Sequence, residues 1–148
     1  MSVVNCEEIK NAIAARLLQG FPGTSVYKEA VTTPNYPHFF IHLISGSDNE
    51  ERKNHHILNH SFDLRYRVAS DPSTDLKLEQ KLDAVARKLF AGLNIIDCND
   101  VKIRIENKHY EKTDGVLHFF CEVNMKALLE EEPQEKFKDL EVDIGVKE

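Results

Sequence analysis

A chain of 148 residues has room for one ordinary hydrophobic core. With 41% hydrophobic and 30% charged residues, it is excluded from the disordered and fibrous classes. Of the formal net charge of −6, residues 130–148 hold −5, from eight acids against three lysines, so the body before them is near neutral. It lacks the basic excess that phosphate contacts demand, and no nucleic-acid contact is required.

No apolar stretch approaches the roughly 20 residues of a membrane span. Asn5, Glu7 and Glu8 stand where a signal peptide would carry its basic flank. The expectation is a protein made in a cytoplasm. Cys6, Cys98 and Cys121 are odd in number and far apart, which offers neither a disulfide framework nor a metal clip. They read as reduced thiols, two of them in the core.

Asn5 with Glu8 makes a capping box, and Ile9, Ile13 and Leu17 recur at helical spacing, predicting a first helix over 6–19 that stops at Gly20-Phe21-Pro22-Gly23. Ser25–Glu29 reads as a short strand. After Pro34 and Pro37, His38–Ser45 is the most buried strand candidate. Ser45–Asn54, with Gly46 and five charged residues, reads as a solvated loop. Leu58, His60, Phe62, Leu64, Tyr66 and Val68 then alternate with Asn59, Ser61, Asp63, Arg65 and Arg67, the pattern of a long strand with one covered face.

The loop Ser70–Ser73 leads to a second helix with the stripe Leu78, Leu82, Val85, Leu89 and Leu93, ending near Gly92. Val101–Glu106 and Leu117–Met125 alternate on either side of the turn Thr113-Asp114-Gly115 and predict a hairpin. The fold class is therefore α+β. An antiparallel or mixed sheet carries two helices on one face, in the order α-β-β-β-α-β-β. The domain is expected to span 1–128, with 129–148 an acidic C-terminal extension. Within it Leu140, Val142, Ile144 and Val146 alternate as a further strand would.

Catalytic chemistry finds no foothold. Phosphate loop, nucleotide fingerprint and nucleophile elbow are all absent from a chain with only six glycines. His55, His56 and His60 lie close in sequence. On a strand they are too far apart for one metal, so His60 is expected partly buried and the other two exposed. His38, His42, His109 and His118 carry no ligand spacing, and Cys121 alternates with core residues. Asp63 and Glu106 are acids that strand pairing can bring together. No catalytic residue, metal or cofactor is implied.

The polar rows Asp63, Arg65, Arg67 and Lys102, Arg104, Glu106 are either a solvated face or a rim of charge pairs between subunits. Val142 and Ile144 are the candidate contacts of a C-terminal arm, which adds a strand to a neighbouring sheet or simply frays.

Ile9–Leu17, Phe21–Glu29, Pro37–Ile41, His60–Tyr66 and Asp114–Phe119, taken together, resemble the phage tail terminator (tail completion) proteins of phages and prophages of Gram-positive bacteria. The resemblance runs to about Met125 and rests on pattern and element order. It implies a structural virion protein assembled in the host cytoplasm. Its partners would be further copies of itself in a ring, typically a hexamer, the tail tube protein and a head–tail connector protein. The ring would end tail polymerisation and present the head-joining surface, through head-to-tail contacts that close by rotation. Another neck subunit, or a small bacterial ligand-binding domain or enzyme, are the alternatives. A deep apolar pocket with converging polar groups would favour the last.

Overall fold

The computed structural model describes residues 5–69 and 74–128. The expected loop Ser70–Ser73 and the strand pattern Leu140–Val146, with Val142 and Ile144, lie outside them.

Helix α1 (Cys6–Gly20) starts where its cap dictates: the Asn5 side chain accepts the backbone N–H of Glu8 at 2.8 Å. Ile9, Ile13 and Leu17 are buried on one stripe. In α2 (Leu78–Gly92) the buried stripe is Leu78, Leu82, Ala86 and Leu89, followed by Leu93. Val85, expected in that stripe, is only partly buried, and Ala86 lets the helix approach the sheet more closely.

Six strands, β1 (Ser25–Tyr27), β2 (His38–Arg52), β3 (His55–Arg67), β4 (Ile95–Cys98), β5 (Val101–Thr113) and β6 (Val116–Leu128), form one sheet in the order β1-β2-β3-β6-β5-β4. Only β1 and β2 run parallel. The expected first strand ends two residues early, at Tyr27. Ser45–Arg52 is no loop but the outer half of β2, paired with β3 nearly to the turn at Lys53-Asn54. Its side chains are exposed on both sides, so the backbone ladder holds it and no buried alternation marks it.

β4 was not expected: Ile96 and Cys98 are buried between exposed Ile95 and Asp97, but the pattern is four residues long and hard against a helix end. The element order is thus α-β-β-β-α-β-β-β.

Phe39, Ile41, Phe62, Leu64, Tyr66, Leu117, Phe119, Cys121 and Val123 point to one side of the central strands and share a single core with both helix stripes. Both helices therefore cover the same face. Cys98 and Cys121 belong to this core, and burial pushes the Cys121 thiol up to about 12. The register slips between Leu43 and Ser45, between Glu50 and Arg52, and between Glu106 and His109. At the third, Asn107 adopts φ 51°, a left-handed conformation that asparagine tolerates.

Candidate functional site

The face of the sheet without helices is furnished by the alternate residues of the same strands. The register places Phe40, Arg65, His118 and Glu111 in one transverse row and His42, Asp63, Phe120 and His109 in the next. Four histidines that are scattered in sequence thus share one surface, three of them within these two rows. The sequence holds a signal for this that spacing rules for metal ligands do not detect. His38-x-Phe40-x-His42 and His118-x-Phe120 repeat at period two, which on a strand means one side.

Asp63 lies at the centre and is only 3% exposed, although it belongs to the polar row of β3. Its Oδ2 accepts from Arg65 Nε and from His118 Nδ1, each at 2.9 Å. Its Oδ1 is buried without a partner among the described residues. The rings around it do the covering. Phe120 stacks with His109 at 4.8 Å and with His118 at 6.2 Å, and the Arg65 guanidinium stands 5.8 Å from the centre of the Phe40 ring.

Toward the β5 side a polar rim follows. Glu122 accepts from Asn59 and Asn107, and Glu106 accepts from Asn124 at 3.0 Å.

Of the predicted site residues, Asp63 and Arg65 therefore meet directly, and Arg67 follows at the end of β3. Glu106 does not reach Asp63, because β6 lies between their strands. Arg104 is exposed near the far edge, opposite Ile95. The neighbouring Lys102 pairs with Asp97 at 3.2 Å. His55 and His56 are half-buried, not exposed as expected. The His56 ring is engaged by Asp48 and Glu50 across the hairpin. Among the described residues, no three His, Cys, Asp or Glu side chains converge as metal ligands would.

A cleft of about 270 Å³ lies between the C-terminal ends of the helices. On its walls Arg16 Nε donates to the Gly92 carbonyl at 3.1 Å, and the Lys88 ammonium lies 4.7 Å from the centre of the Phe21 ring. They do not converge on a guest.

The helix-free face thus carries aromatic rings, an arginine and a carboxylate withdrawn from water, inside a polar rim. Residues 8–135 match the profile of phage tail terminator proteins. The chain belongs to the phage tail terminator family. It is thus a structural protein of a phage tail, in a family that is not one of enzymes. No curated protein matches it. Eighteen solved chains match it; one of them shares 13% identity over 86% of this chain and 99% of its own, at a TM-score of 0.43. No helix among the described residues is long and apolar enough to cross a membrane.

Proposed function

We propose that this tail terminator acts as a ring, a hexamer by family resemblance, seated on the head-proximal end of the tail tube. There it stops tube polymerisation and offers the surface to which the head connector binds. The observation that carries this reading is family membership across residues 8–135. The helix-free face supports it, since a side of the sheet that hides a carboxylate under rings and an arginine is built to be covered. Asp63, Arg65 and Arg67 are the proposed subunit contacts, with Arg104 and Glu106 on the flank. A ring needs two different patches on each subunit, and this sheet has distinct ends and faces to supply them.

Electron microscopy of the purified protein, alone and mixed with polymerising tail tube protein, tests the proposal. Closed rings and tubes capped at one end are the expected result. Tubes that lengthen without limit in its presence would overturn it.

A further inference from the structure

We propose that a groove at the β1 end of the helix-free face receives the acidic C-terminal segment, residues 130–148, of a second copy of this chain. The groove encloses about 250 Å³, and its walls include Tyr27, Glu29, His38, Phe40, Arg65 and Arg67. His38 is 6% exposed, and neither ring nitrogen has a partner among the described residues. Burial, and then the charge of Arg67, hold its pKa below the ordinary histidine value. A neutral ring keeps one N–H to donate, and a buried donor without an acceptor is costly.

Arg67 is exposed and makes no ion pair among the described residues. Arg65 meets Asp63 through Nε alone, which leaves its terminal nitrogens for a second carboxylate. Phe40 supplies an apolar wall. Val31 and Tyr36, 44% and 45% exposed, stand close by, and the Tyr36 ring lies 5.1 Å from that of His38.

Donors beside an apolar wall suit a segment in which carboxylates and aliphatic side chains alternate. Glu141-Val142-Asp143-Ile144 is such a run: extended, it turns acids to one side and aliphatics to the other. The net charge of −5 over residues 130–148 complements the two guanidinium groups, with Glu29 the one acid on the wall. The outer half of β2, an edge left free beyond β1, carries Asp48, Glu50 and Glu51 and repels it.

The register argues for a second copy. β6 ends at Leu128 opposite His55, whereas the groove lies by Arg67, twelve residues along β3. That run is about 40 Å at ~3.3 Å per residue, and the link 129–139 can barely cover it at full stretch. In a head-to-tail ring, the end that releases the segment faces the next subunit's groove, and in this respect the inference rests on the ring reading.

The test uses a fluorescein-labelled peptide with the sequence of residues 130–148. Its partner is the full-length chain whose own segment is neutralised, by changes such as Glu141→Gln and Asp143→Asn, so that it does not compete. Anisotropy is read at about 0.15 M salt, where distant charges are screened. Saturable binding is expected, weakened about tenfold or more by Arg67→Glu, by scrambling the peptide, or by serine at its Val142 and Ile144 positions. No binding, or equal binding of the scrambled peptide, overturns the inference. So does indifference to Arg67→Glu in a variant that melts like its parent.

In a mixture of normal and heavy-isotope chains, cross-links from segment to groove should join different chains. Links confined to one chain overturn the second-copy assignment. Rings without peptide binding would sink the inference and leave the capping reading standing, and binding without rings would do the reverse.

Discussion

Phe62 and Asp63 are neighbours on β3 and almost equally hidden, at 0% and 3% exposure, yet they are hidden by different means. Phe62 lies under two helices, among side chains that lose nothing by leaving water. Asp63 lies on the face with no helix, screened by Phe40, Phe120, Arg65 and three histidines that must hold one another in place. The first kind of burial stabilises the subunit by itself. The second satisfies only one carboxylate oxygen among the described residues. One strand thus serves folding with its even residues, while its odd ones carry the proposed assembly face.

The largest effect that separates the two faces is expected from Phe62→Ala. It should cost about 3–5 kcal/mol of unfolding free energy in denaturant titration, because the whole ring is buried in the core shared by strands and helices. If Phe62→Ala proved milder than changes at Asp63, the assignment of faces would be reversed, as a one-residue slip of register would require.

Asp63→Asn keeps the shape and removes the charge shared by Arg65 and His118. About 1–3 kcal/mol is expected to be lost. A null result in the same titration would mean that the rings alone order this face.

A smaller effect is expected from acid. His38, through burial and then Arg67, and His60, through burial, both have pKa values below the ordinary 6.5. Below about pH 6.5 the unfolded chain therefore binds more protons than the folded one, and stability present above that pH is lost as pH falls. Thermal midpoints measured from about pH 7.5 to about pH 5.5 should drop less in a His38→Phe, His60→Leu double variant than in the parent. Parallel curves would show that these rings do not drive the loss.

Smallest of all for the subunit, Arg65→Ala should cost about 1 kcal/mol or less, because its side chain is 39% exposed. The same variant should impair ring formation measurably in sedimentation velocity. Normal rings would remove Arg65 from the interface.

How much of this was readable in the chain follows the same division. The capping box at Asn5, both helix stripes and the alternation of Leu58–Tyr66 announce themselves, because burial against helices writes a periodic apolar signal. The outer half of β2 writes none: its exposed residues from Ser45 to Arg52 are held by main-chain pairing alone. β4 writes too short a one.

At the candidate site, Asp63 and Arg65 were found as a polar row, but the burial of Asp63 was not. It depends on His118 and Phe120, which lie 55 and more residues away and come alongside only through the β3–β6 register. The pairing of Glu106 with Asp63 fails for the complementary reason, since strand order and not alternation decides which acids are neighbours.

The slip at Asn107 bears on how this family can change length. From Glu106 to His109 the chain takes three steps while β6 takes two, from Glu122 to Phe120. Removing Asn107 alone would leave Ile105 and Tyr110 facing the helices and His109 facing away, at the cost of one hydrogen bond to Glu122. Removing any single residue elsewhere in the paired part of β5 would turn the rest of the strand inside out. The bulge is thus a place where a codon can be lost without inverting a surface, and insertions and deletions among relatives should gather there and at its counterparts beside Ile44 and Glu51.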